Sequence, residues 1–245
     1  MGGKGRIAKQ LSNVMLGIAP DRGRYIEPFV GGGGMAAQMG KHFNEAHYSD
    51  AHPDLILMWQ AVIEEGWTPP TDVSEDRWRE LKAAEPSPER GFVGTGGSFG
   101  GRWFSSYARG GYNADGTPRN HQAESARAVL RDAAAMQAKT ETTVTCRDAL
   151  TLDVQPGDVV YCDPPYQGTA VYSAGLDHEA FWKAAQDWAE AGATVFVSEY
   201  NAPPGWYPVW EQELRQSMAQ GTQKRGMAVE RLFMWGGADE LAAAA

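Results

Sequence analysis

The chain has 245 residues, 42% of them hydrophobic, which suits one sizeable α/β domain with an insertion rather than several independent domains. Its formal net charge of −9 argues against a generally basic nucleic-acid binder, whose affinity comes from Lys and Arg neutralising phosphates. No apolar run approaches the roughly 20 residues that cross a bilayer, and the start MGGKGRIAKQ lacks the apolar stretch of a secretory signal, so a soluble intracellular protein is expected.

Cys146 and Cys162 are far apart, with no C-x-x-C pair or His cluster, so neither a disulfide framework nor a metal site is expected. Both are expected to be reduced and buried. Between Ser98 and Lys139 the arginines Arg102, Arg109, Arg119, Arg127 and Arg131 outnumber Asp115, Glu124 and Asp132. This stretch is either a local basic face or a solvated surface.

Along the chain, apolar residues at helical spacing predict a helix over Ile7–Ile18, closed by Pro20 and Gly23. RYIEPFV (Arg24–Val30) reads as a strand ending in Gly31–Gly34, followed by a helix over Met35–Phe43. Ala46–Asp50 reads as a second strand, and Leu55–Glu65 as an amphipathic helix. From Trp67 the pattern breaks at Pro69, Pro70, Pro86 and Pro88, and a glycine- and aromatic-rich stretch follows. A helix over about Gln122–Lys139 leads back to strands at Thr142–Cys146 and Asp158–Cys162, a helix over Asp177–Ala191, and strands at Thr194–Ser198 and Val229–Trp235. Strands alternating with helices predict a sheet covered on both faces, with ligands beyond the carboxyl ends of its strands.

Two strand tips stand out. Glycines after Val30 let the backbone turn sharply and approach a ligand closely, but PFVGGGGM lacks both the G-x-G-x-x-G spacing and a following Lys-Ser or Lys-Thr, which disfavours a pyrophosphate. Asp50, at the next strand tip, is placed to accept hydrogen bonds from a ribose. Turn and acid together point to an adenosine-containing ligand.

The second tip is Asp163-Pro164-Pro165-Tyr166 after DVVYC. The prolines stiffen the backbone and hold Asp163 and Pro164 extended, so the carboxylate and the Pro164 carbonyl form two fixed acceptors beside an aromatic plate. A planar amine fits. Two acceptors would take both hydrogens of an adenine amino group and draw its nitrogen toward tetrahedral geometry, with Tyr166 stacked on the base. Methyl transfer would then require alignment above all, and a base in a duplex would have to be rotated out first.

From Gly2 to Trp235 the chain resembles the DNA adenine-N6 methyltransferases of the Dam-like (D12) class. EPFVGGGG (Glu27–Gly34) resembles their S-adenosylmethionine motif and DPPY (Asp163–Tyr166) their catalytic motif, in the family's order with the target-recognition insertion between them. The resemblance implies a Rossmann-like methyltransferase fold, with a mostly parallel sheet and helices on both faces. Residues 1–58 and 141–245 would form the catalytic domain and 59–140 the inserted target-recognition region. It implies S-adenosyl-L-methionine as cofactor, bordered by Lys4 of GGK, Phe29, Gly31, Gly33, Asp50, Asp148 and Asp163, although the tryptophan usual just upstream of GGK is absent. It implies catalysis by Asp163, Pro164, Pro165 and Tyr166, and contacts to double-stranded DNA from Arg102, Arg109, Lys224 and Arg225. A monomer or weak dimer without metal or membrane, in the cytoplasm of a bacterial or phage-infected cell, is expected.

Other readings stay open. The same fold could act on cytosine N4 or on RNA, or survive as a catalytically silent DNA-binding module; a nucleotide-dependent oxidoreductase lacks its fingerprint. Arg102, Trp103, Phe104, Tyr107 and Arg109 could contact the duplex or form a small core.

Overall fold

A computed structural model of the chain describes residues 4–19, 22–165, 175–215 and 227–236. After a single 3-10 turn at Lys4–Arg6 come α1 (Ala8–Ile18), β1 (Arg24–Glu27), α2 (Ala36–Met39), β2 (Glu45–Asp50) and α3 (Pro53–Glu64). β1 stops short of the expected Val30, and Pro28 has no N–H to extend the ladder. The inserted stretch holds α4 (Glu75–Lys82), α5 (Pro88–Gly96) and a short hairpin of β3 (Gly111–Tyr112) and β4 (Pro118–Arg119). Then follow α6 (His121–Met136), β5 (Glu141–Cys146), β6 (Val159–Cys162), α7 (His178–Glu190), β7 (Thr194–Glu199), β8 (Trp206–Arg215) and β9 (Met227–Trp235).

Among the described residues the larger sheet has seven strands in the order β5-β2-β1-β6-β7-β9-β8. β5, β2, β1, β6 and β7 pair in parallel, while β9 runs antiparallel to β7 and β8. The chain steps outward from β1 through β2 to β5, then returns to β6 on the other side of β1. The strand order therefore reverses between β1 and β6, which in an open α/β sheet marks the ligand crevice.

Strand alternation sorts the core. Tyr25, Tyr48, Val159, Tyr161 and Phe196 face one layer with Leu11, Met15, Met39, Trp59 and Met136. Ile26, Val160, Cys162, Val195 and Val197 face the other with Phe181, Ala185 and Trp188 of α7. All four residues of β6 are buried, as a central parallel strand covered on both faces requires. Val73, Trp78, Leu81, Phe92, Val93 and Phe104 of the inserted stretch belong to the first of these clusters, and α3 runs unbroken through the boundary expected at residue 58.

Several readings need correction. Cys162 is buried but Cys146 is exposed, because β5 is an edge strand and much of it faces solvent. Of the two alternatives for Ser98 to Lys139, three arginines fit the solvated surface: Arg109 pairs with Glu75, Arg119 with Glu124 and Arg131 with Asp132. α4, α5 and β8 were not expected. Ser74 and Ser87 cap the two helices by accepting from Arg77 N and Arg90 N, and Pro88 opens α5, the first-turn position where its missing N–H costs nothing. β8 tolerates Pro208 because it is the sheet's edge and carries an irregularity between Pro208 and Trp210.

Asp54 in the first turn of α3 joins the insertion to the sheet. It is 1% exposed, accepts from Ser87 N at 3.0 Å, and pairs with Arg90. Replacing Arg90 with Met would leave this buried carboxylate without its cation, at a cost of about 3 kcal/mol or more. Urea denaturation is expected to show that loss as a lowered midpoint with an unchanged slope.

Candidate active site

The strands flanking the reversal carry the two motifs. β1 ends at Glu27 and leads into the glycine turn; β6 ends at Cys162 and leads into Asp163. The two pair in parallel with Tyr25 opposite Val159 and Ile26 opposite Val160, so both motifs emerge at one edge of the sheet.

The turn is held from several sides. Gly31 and Gly33 have φ of 46° and 72°, where side chains are strained. A Cβ on Gly33 would lie 2.6 Å from the indole of Trp59. Trp59 Nε1 donates to the Gly31 carbonyl at 2.9 Å, and Gly31 N donates to Asp50 Oδ2 at 3.0 Å. The other Asp50 oxygen accepts from His52 N at 2.9 Å. Burial raises the Asp50 carboxyl and these amide hydrogen bonds pull it back. Asp50 thus braces the turn, and each oxygen keeps lone-pair capacity for a ribose hydroxyl.

Glu27, fully enclosed beneath the turn, accepts from Tyr25 Oη at 2.7 Å and from the amide of Ala36 at the start of α2. Burial pushes its carboxyl up to about 8, against these hydrogen bonds and with help from the charge of Asp163. At neutral pH it is largely protonated.

The acidic corner is built around Lys4. Its ammonium lies 3.0 Å from Asp163 Oδ1 and also pairs with Glu230 Oε1. Lys4 and Glu230 are each 7% exposed. Burial works against the ammonium, but the two carboxylates outweigh it and hold its pKa above the ordinary lysine value. Burial raises Asp163, Lys4 lowers it, and Glu230 raises it further. Just beyond β7, the phenol of Tyr200 is raised by burial and by the charge of Glu230.

The structure therefore brings Asp163, Pro164, Pro165, Gly31, Gly33 and Asp50 to the strand tips at the crevice, and Lys4 to Asp163. Phe29 rests edge-on against Phe181 with centroids 5.6 Å apart. Asp148 follows β5 and caps a 3-10 turn by accepting from Leu150 N at 2.9 Å. Tyr166, Lys224 and Arg225 lie outside the described residues. Arg102 is exposed, whereas Arg109 is engaged with Glu75. Trp103, Phe104 and Tyr107 take the core alternative: Phe104 packs on Trp78 and Trp103, and Tyr107 donates to the Val73 carbonyl at 2.7 Å.

Two site residues, Glu230 and Trp59, were not picked out from the sequence. Glu230 had a signal: it shares strand parity with Leu232, which is fully buried, and a charge on an apolar strand face needs a partner. Trp59 read simply as part of an amphipathic helix. Glu27 was expected as the first residue of the EPFVGGGG motif without a role of its own; its enclosure is a finding of the structure.

Elsewhere, a cleft of about 340 Å³ lies between the Ser98–Gly101 loop and the start of α6, in the insertion and away from Asp163. Among the described residues no group of three or more His, Cys, Asp or Glu is placed to hold a metal ion, and no helix is long and apolar enough to cross a membrane.

The family model of the D12 class N6 adenine-specific DNA methyltransferases matches residues 1–94 and 105–203. No curated protein matches the sequence. Similar solved structures include a proposed class I S-adenosylmethionine-dependent methyltransferase from Listeria monocytogenes, with TM-score 0.44 and 10% identity over 98% of this chain and 62% of that one. A proposed methyltransferase from Escherichia coli has TM-score 0.40 and 12% identity, over 95% of this chain and 86% of that one. A proposed RNA methyltransferase from Pyrococcus horikoshii has TM-score 0.42 and 9% identity, over 95% and 83%.

The enclosed Glu27 carboxyl binds a proton in the folded chain at pH values where the unfolded chain has released it. Stability should therefore fall as pH rises from the ordinary glutamate range toward 8 and be insensitive to this group above it. Glu27→Gln is expected to remove a few kcal/mol of this dependence, read from urea midpoints of both proteins between pH 5 and pH 8. Parallel curves for the two would show Glu27 ionised throughout.

Proposed function

The chain belongs to the D12 class N6 adenine-specific DNA methyltransferase family and is an S-adenosylmethionine-dependent methyltransferase; on that premise we propose that it methylates the N6 amino group of adenine in double-stranded DNA, acting on a base rotated out of the helix. The observation that carries this reading is the meeting of a braced glycine turn and a stiff acidic corner at one topological switch point.

The residues present fit the cofactor. The positive φ of Gly31 and Gly33 makes the sharp turn that leaves the strand tip open to a ligand, Asp50 offers lone pairs to a ribose, and Asp163 borders the far side. When bound, S-adenosylmethionine supplies a methyl group on a sulfonium that leaves as a neutral thioether. The protein's task is to hold the acceptor nitrogen in line. Asp163 and the Pro164 carbonyl accept the two amino hydrogens and withdraw the lone pair from the ring. As the N–C bond forms, nitrogen becomes cationic and one of its protons passes to the Asp163 carboxylate, whose burial makes it a better base than a solvated aspartate. Tyr166 stacks on the base.

Arg102 and the exposed rings of Phe99 and Tyr112, 60% and 79% accessible, are the insertion's side chains best presented to a duplex. Aromatic and arginine groups of this kind contact extruded or kinked sites. Arg109, Lys224 and Arg225 join the proposal as phosphate contacts.

Asp163→Ala is expected to abolish methyl transfer while leaving cofactor affinity within a few-fold. Nucleoside mass spectrometry of DNA from an expressing, methylation-free host reads this directly; N4-methylcytosine, or product found solely on RNA, would overturn the substrate assignment. Asp50→Ala should weaken S-adenosylmethionine binding by about tenfold or more in calorimetry. Because burial raises Asp163, the acid limb of the wild-type rate profile should lie above the ordinary aspartate range.

A further inference from the structure

Glu230 occupies a position where the β9 pattern calls for an apolar side chain. It is opposite Gln212 across the β8 ladder and shares strand parity with the buried Leu232. One ammonium, that of Lys4, serves both Glu230 and Asp163. An ammonium paired with Asp163 alone would spend its whole field on that carboxylate and make it a weak acceptor. Paired with two acids, it orders the corner while leaving net negative charge there.

We propose that Glu230 is a positioning residue that anchors Lys4 against the acidic corner and takes a share of its charge, keeping the Asp163 carboxylate a strong acceptor for the amino protons of the target base. The functional half of this statement rests on the role given to Asp163 above; the electrostatic half does not. Asp163 is faced by Lys4 from the N-terminal turn, Glu230 from β9, Glu27 from the end of β1 and Tyr200 from beyond β7, with Tyr161 and Cys162 on its own strand. Lys4 lowers the Asp163 carboxyl while Glu230 raises it. Glu27, pushed up to about 8 by burial, carries little charge at acid pH.

The test is a carbon-13 carboxyl titration of the full chain, with the Asp163 signal identified by its absence in Asp163→Asn. In Glu230→Gln, which keeps size and one accepting oxygen but not the charge, the Asp163 midpoint should fall by about half a unit or more. The acid limb of kcat should move the same way, while kcat at neutral pH drops several-fold and cofactor affinity stays within twofold. Glu230→Asp, which keeps the charge, should return both midpoints toward wild type. Titrations that superimpose for wild type and Glu230→Gln would overturn the proposal, as would Glu230→Asp behaving like Glu230→Gln. Urea midpoints of all three proteins separate these effects from failure to fold. A wild type that transfers no methyl group to DNA would defeat the functional reading alone, since the carboxyl titration still decides the coupling.

Discussion

A buried ammonium is costly unless carboxylates and hydrogen bonds surround it, and Lys4 meets that demand with acids from opposite ends of the fold. Glu230 lies 226 residues along the chain from Lys4, and Asp163 follows the central strand between them. The N-terminal turn, the tip of β6 and the antiparallel strand β9 therefore converge on one point. Removing Lys4 would leave two carboxylates facing each other without a cation, which ties the geometry of the corner to the N-terminal turn.

The glycine turn follows a different logic, in which hydrogen bonds to and from the backbone dominate. Its positive-φ glycines are fixed by the Trp59 indole, by Asp50 and by the packing of Gly33 against Trp59. Glu27 tethers the start of α2 beneath it. A ligand entering here would find the turn already ordered, so less of its interaction free energy would go into arranging backbone. Both sides of the crevice are thus organised before anything binds, one by charge and the other by amide hydrogen bonds.

The alternating strands and helices of the catalytic part were legible because period-2 and period-3.6 patterns survive wherever one face is buried. So were the two strand-tip motifs, whose glycine and proline content constrains backbone irrespective of context. The insertion was harder. Pro86 and Pro88 read as breaks, yet Ser87 and Pro88 together form a helix start, and Trp103, Phe104 and Tyr107 could not be assigned to core or ligand without knowing what packs on them. Edge status misled in two places: it let Pro208 sit in β8 and it exposed Cys146 on β5. Glu230 was readable as an anomaly but not as a partner, since pairing with Lys4 depends on a strand order that no local pattern specifies.

A short run of contacts also fixes the insertion relative to the strand tips at the crevice. Asp50 at the tip of β2 holds the amide of His52. The ring of His52 meets Trp103 edge-on at 4.3 Å, and Arg90 stacks over Trp103 at 5.3 Å while pairing with Asp54. Within five residues of sequence, Asp50 to Asp54, the chain thus contacts the glycine turn, the aromatic cluster of the insertion and the start of α5. An insertion carried on a flexible tether would have to be ordered anew for each substrate. Here it shares the core of the sheet, so residues such as Arg102 are referenced to the same strand tips as Asp163.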